Sequence, residues 1–208
     1  MKKIKLRNII FALIALIAIL ALAFFGFGRH KMSSLLGVYD VEKSYMYEPP
    51  EADITILDFS QYDCDICRIV HPTLKDAMAQ DGKVRYIPRP VASCDEWGNE
   101  VVQAVYAAAL QDKYIQMHNA IYDNWPIENL DELLSVAVHL GLDTSQLQSD
   151  MESEEVKRII QETADYYDAW DLPYVPAFLI DEKILYMPNE QDMPTVDTWK
   201  EKFKKVRK

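Results

Sequence analysis

Ile54-Thr55-Ile56-Leu57-Asp58-Phe59-Ser60-Gln61-Tyr62-Asp63-Cys64-Asp65-Ile66-Cys67-Arg68-Ile69-Val70-His71 decides the fold of this chain. The apolar run through Phe59 reads as a strand, the polar residues after it as a short turn, and the segment from Cys64 onward as a helix. Two residues between cysteines at a helix start bring both sulfurs within bonding reach. They also set the first sulfur near the unpaired N–H groups of the positive helix end, which favour a thiolate. Strand, turn, then Cys-x-x-Cys opening a helix is the arrangement that thiol–disulfide exchange requires. The residues alone leave two other readings: a structural disulfide, or half of a zinc site needing two more ligands, for which Cys94 and His71 are the candidates.

Outward from this stretch, the helix continues through Pro72 with a kink, and Lys83 to Pro88 reads as a second strand. Pro88, Pro90 and the polar Ser93-Cys94-Asp95 mark a change of organisation. From about 97 to 169 the pattern is helical, in four apolar stripes: Val101/Val102/Val105/Ala109, Tyr114/Ile115/His118/Ile121/Tyr122, Leu130/Leu133/Leu134/Ala137, and Val156/Ile159/Ile160/Thr163/Ala164/Tyr167. All four read as packed core, and His118 as a hydrogen-bonded core histidine. The β pattern returns at Ala177-Phe178-Leu179-Ile180, turns at Asp181-Glu182-Lys183 and resumes at Ile184-Leu185-Tyr186. A helix carrying Val196, Trp199, Phe203 and Val206 closes the chain.

The chain has 208 residues and a net charge of −11. Residues 1–31 hold six bases and no acid, so the remainder is strongly acidic, which argues against nucleic acid as a partner. Three cysteines are too few for a disulfide-stapled scaffold. Ile9 to Phe27 is an uncharged apolar run of near span length, with four bases before it. It reads as one transmembrane helix with a cytoplasmic N-terminus and an exported body. Ala21-Leu22-Ala23 offers the competing reading, a cleaved leader. Either way the body meets an oxidising compartment.

The stretch from Asp58 to Pro72 resembles the active-site segment of DsbA-like thiol–disulfide oxidoreductases, and Val175-Pro176-Ala177-Phe178 resembles their cis-proline loop. Pro72 matches the family's helix-kinking proline, and Asp58 the buried acid beneath the redox pair. The resemblance spans roughly residues 50–206. It implies an α/β thioredoxin fold with an inserted all-helical subdomain, preceded here by the N-terminal transmembrane helix. The expected organisation is residues 1–31 as cytoplasmic stub and anchor, 32–50 as a tether or first short strand, 51–96 as the first fold part, 97–169 as the helical insertion and 170–208 as the second fold part.

The resemblance also implies roles. Cys64 is the nucleophile and Cys67 resolves the mixed disulfide. Asp58, among apolar neighbours, has a raised pKa and takes or relays the Cys67 proton; its alternative is an acid at the strand end that reaches water. Pro176 is cis and turns Val175 toward an extended substrate strand; its alternative is an ordinary strand-start proline. The dipeptide Asp65-Ile66 departs from relatives that carry proline or histidine there. The Asp65 carboxylate, with Asp63 beside it, disfavours the thiolate and weakens the oxidant. Cys94 is a free thiol or a partner in an intermolecular or regulatory disulfide. No metal, nucleotide or organic cofactor is implied.

The expected partners are unfolded or partly folded exported proteins and a membrane redox partner, with the catalytic domain on the periplasmic or extracytoplasmic side of a bacterial inner membrane. Two other functions remain open at this level: an isomerase or reductase kept reduced by a membrane partner, and a redox-inert peptide-binding or chaperone module.

Overall fold

The structure, a computed structural model, describes residues 37–93 and 95–208. Cys94 and the apolar run 9–27 lie outside them, and among the described residues no helix is long and apolar enough to cross a membrane. Tyr39–Lys208 is one compact unit and carries the fold.

Four strands form one mixed sheet in the order β2-β1-β3-β4. They are β1 (Ile54–Ser60), β2 (Val84–Pro90), β3 (Ala177–Ile180) and β4 (Ile184–Tyr186). The β1/β2 pair is parallel, with Ile54 opposite Val84 and Ser60 opposite Pro90. Both β1/β3 and β3/β4 are antiparallel. The parallel pair needs a crossover, which α1 (Asp65–Asp81) supplies. Gly82 ends α1 at φ 74°, the left-handed conformation a side chain disfavours, and its N–H closes on Met78 O.

Period-2 alternation decides what each strand residue faces. Ile54 and Ile56 share a cluster with Tyr86, Phe178, and the apolar faces of α1 and α7 (Val196–Val206). Trp199 of α7 is wholly buried there, and its Nε1 donates to Thr73 Oγ1 of α1 at 3.0 Å. Arg207 pairs with both Asp53 and Asp81, tying the chain's end to the start of β1 and the end of α1. Strand parity puts Asp58 on the same face as Ile54 and Ile56, two residues beyond Ile56.

Between β2 and β3 lie five helices: α2 (Glu96–Ala108), α3 (Tyr114–Asn124), α4 (Leu130–His139), α5 (Thr144–Met151) and α6 (Glu154–Ala169). They share a second core built on Val101, Val105, Met117, Ile121, Leu133 and Val156. The four apolar stripes are therefore four of these helices. The fifth, α5, is eight residues long with only Leu147 and Met151 buried, too short to show a period.

Three further features differ from the sequence expectation. Strand β2 runs on through Pro88 to Pro90; it is an edge strand, where a missing N–H costs little. Residues 39–50 form neither a free tether nor a strand. A 3₁₀ turn at Lys43–Tyr45 buries Tyr45 against the helical core, and Tyr47 exchanges two backbone hydrogen bonds with Tyr86, covering the outer edge of β2. Trp125–Pro126 is a second cis peptide bond beside Val175–Pro176.

Candidate active site

Cys64 is the N-cap of α1, and its sulfur accepts from the Cys67 N–H at 3.2 Å. The extended backbone at Cys64 leaves the first-turn N–H groups pointing at its sulfur. The Cys67 thiol beside it is the largest influence drawing the Cys64 pKa down to about 7; partial burial opposes, the N–H groups of Cys67 and Ile66 assist, and the Asp63 carboxylate opposes. Cys64 is half-buried and Cys67 is 2% exposed. Burial, and then the Cys64 sulfur, push the Cys67 thiol far up. The outer sulfur is thus the ready thiolate and the inner one holds its proton.

Asp58 is 2% exposed, and burial raises its carboxyl to about 7, against the lowering pull of its hydrogen bonds. The Tyr86 hydroxyl donates to its Oδ2 at 2.5 Å. The same carboxylate acts on the Cys67 thiol, raising it further. Val175 precedes the cis bond to Pro176, and its carbonyl lies 3.9 Å from Cys64 Sγ.

The two acids flanking Cys64 differ in their surroundings. The Asp65 side chain is largely exposed and pairs with Arg68 one turn on. Asp63 accepts from Ser93 Oγ at 2.5 Å, and it is the carboxylate that weighs on Cys64. Ile66 packs against the sheet-side core.

A groove of about 370 Å³ opens at Cys64, lined also by Gln61, Val91, Tyr174 and Val175. Its far wall is α6, through Ala164, Tyr167 and Asp168. Sequence reasoning assigned Ala164 and Tyr167 to packed core. Both carry the helical period, and only the neighbouring Asp168, polar beside the stripe, hints that this end of α6 meets an opening. His118 is fully buried and hydrogen-bonded to Tyr62 and Tyr86, as its apolar setting suggests. His71 directs Nε2 to Asn119 Oδ1 at 2.9 Å, and burial lowers its pKa to about 4. Among the described residues no cluster of three metal-ligating side chains occurs.

Comparison with known proteins gives a consistent setting for this geometry. A family model described as thioredoxin matches residues 41–202. A thioredoxin-like oxidoreductase from Silicibacter pomeroyi is similar in structure, with a TM-score of 0.72 and 25% identity, over 82% of this chain and 96% of that one. The thiol–disulfide exchange protein alpha-DsbA2 from Wolbachia pipientis shares the fold at a TM-score of 0.73 and 15% identity, over 88% of this chain and 98% of that one. Among curated sequences, the Na(+)/H(+) antiporter NhaA 3 of Salinispora tropica is 22% identical over 143 residues, 68% of this chain. The chain spans only 22% of that relative's length.

Proposed function

The chain belongs to the thioredoxin family; on that premise we propose that it is a DsbA-like thiol–disulfide oxidoreductase that exchanges disulfides with unfolded or partly folded exported proteins through Cys64 and Cys67. The observation that carries this reading is the opposed treatment of the two sulfurs, a half-buried Cys64 drawn down to about 7 and a buried Cys67 pushed up. A substrate thiolate attacks Cys64 Sγ of the Cys64–Cys67 disulfide. The bond breaks toward Cys67, which leaves as a thiolate and takes the proton held by Asp58. A second substrate thiolate then attacks the substrate sulfur of the mixed disulfide. Cys64 departs as a thiolate, the substrate gains one disulfide and the protein two electrons.

The substrate backbone lies in the groove at Cys64 and pairs with Val175. A redox partner in the same membrane restores the disulfide, with residues 9–27 as the anchor and the body facing the extracytoplasmic side. The antiporters' transport function is not carried over, since the match covers about a quarter of their length or less.

One observation favours a second direction for the same chemistry. A Cys64 thiol at about 7 lies near the reducing end of the range for such motifs, well above that of the strongest oxidants. Reduction or isomerisation of substrate disulfides is the alternative reading, and equilibration with glutathione separates the two.

The role split is tested by trapping. Cys67→Ser is expected to accumulate mixed disulfides on Cys64 in non-reducing gels, and Cys64→Ser to accumulate none. Equal trapping by both variants sinks the assignment.

A further inference from the structure

A continuous run of polar side chains passes through the interior behind the redox pair, and the chemistry above uses only its first member. The Tyr86 hydroxyl donates to Asp58 Oδ2 at 2.5 Å. The same hydroxyl lies 3.0 Å from His118 Nε2, and His118 Nδ1 lies 2.8 Å from the Tyr62 hydroxyl. None of the four residues is more than 2% exposed. They come from β1 with the loop leading into Cys64, from β2 and from α3, so three separate segments were brought together to complete the chain.

Counting protons fixes its direction. Tyr86 has one hydroxyl proton, and the Asp58 carboxylate takes it. The Tyr86 oxygen must then accept, so His118 Nε2 carries hydrogen. Burial holds the imidazole neutral, which leaves Nδ1 bare to accept from Tyr62. Three donors in series therefore point at one carboxylate oxygen, each polarised by the next.

We propose that Tyr62, His118 and Tyr86 are positioning residues for the exchange reaction, a directed hydrogen-bond chain that keeps Asp58 in the carboxylate form that accepts the Cys67 proton. The proposal rests on the exchange reading and specifies how its proton is handled. In the resolving step the Cys67 S–H proton is taken up by the Asp58 carboxylate, whose Oδ1 has no hydrogen-bond partner. The S–H electron pair stays on Cys67 sulfur, which attacks Cys64 Sγ and expels the substrate thiolate. The reverse reaction returns the proton to Cys67. The titratable groups acting on Asp58 and on the chain are Cys67, His71 and Lys75 from α1, Tyr86 from β2, Tyr106 from α2, Tyr122 and His118 from α3, and Tyr62. His71 is neutral above about 4.

Two readouts on the full chain test this. The first is the ¹⁵N spectrum of the His118 ring at pH 8.5, where Asp58 is ionised. The Nε2–H tautomer is expected, and the Nδ1–H tautomer overturns the proposal. It needs no turnover, so it stands even if the exchange reading fails. The second loads Cys64 at pH 4 with a thiosulfonate-derived chromophoric thiol, then jumps the pH and follows release by Cys67. In Tyr86→Phe the midpoint of the rate–pH profile is expected to rise by about one unit, a ~10-fold slower release on the acid limb. Tyr62→Phe, which removes one hydroxyl at the far end, is expected to give a smaller shift of the same sign. The rate of Cys64 alkylation should be unchanged in both. A folded Tyr86→Phe or Tyr62→Phe whose midpoint stays at the wild-type value overturns the proposal; a purely structural chain would lower stability and leave the profile in place.

Discussion

Asn in place of Asp58 should stabilise this protein at alkaline pH while impairing its exchange chemistry. The magnitude follows from the position of the carboxyl. Its pKa is raised from 3.8 to about 7 because it is sealed between α1, the sheet and α3 with 2% exposure. The folded state therefore binds a proton that the unfolded chain has released, across the window from about 3.8 to about 7. Stability falls as pH rises through that window and stays low above it. About three units at ~1.4 kcal/mol each gives a cost of ~4 kcal/mol above pH 7, an upper bound on the order of magnitude. Asn has nothing to ionise, and its carbonyl still accepts from Tyr86. Denaturant unfolding of both chains in the same redox state, from pH 4 to 8.5, reads the difference. The two should nearly coincide at pH 4 and diverge by a few kcal/mol in favour of the Asp58→Asn variant at pH 8. Resolution by Cys67, the step that needs an acceptor, should slow in the same variant. A difference that is flat across the range, or that widens toward acid, refutes the burial argument.

The acids beside Cys64 give a second set of outcomes. Asp63→Asn should lower the Cys64 pKa from about 7 by up to ~1 unit, and Asp65→Asn by less, because Arg68 already offsets Asp65 and water surrounds it. Thiolate absorbance against pH measures both, and a larger effect at Asp65 reverses the ranking. Gly98→Ala should destabilise by about 1–3 kcal/mol, since the added carbon would meet Ser93 Cβ at 2.4 Å. Ser93 holds Asp63, so denaturant midpoints and Cys64 alkylation rates should shift together in that variant.

The sheet was legible because its strands carry short-range signals. Ile54 to Ser60 is mostly apolar and β-branched with one acid, Ala177 to Ile180 is bounded by proline and a polar turn, and that turn falls where positive φ occurs at Asp181 and Glu182. The redox pair was legible for the same local reason: its spacing and its helix start lie within one stretch. What stayed hidden is what long-range packing decides. Beyond the polar Asp168, nothing near Tyr167 in sequence shows that α6 returns to wall the groove at Cys64. Tyr86 and His118 each follow the period of their own elements, and their bond at 3.0 Å exists only because α3 is laid against β2. The ranking of Asp63 over Asp65 depended on Ser93 and Arg68, and only Arg68 is close in sequence.

The helical insertion has a chemical consequence beyond shaping a groove. A Cys-x-x-Cys at a bare helix start would lower its outer thiol and leave its inner one near the ordinary value, because the helix-end effect fades within a turn. In this chain the inner thiol is driven up chiefly by burial, and its charge in turn bears on Tyr122 of α3 and Tyr167 of α6 across the space between them. The thiol that must release a proton to resolve a mixed disulfide is thereby made the harder one to ionise. Such a design functions only with a base held in the same dry volume. On the proposed function Asp58 is that base, and α3 supplies the histidine that hydrogen-bonds the Tyr86 donor on it. The insertion thus contributes, through His118, to holding the donor on the carboxylate that the proposal assigns to the Cys67 proton. The exchange rate of this protein should accordingly respond to changes in α3 that leave the surface around Cys64 untouched.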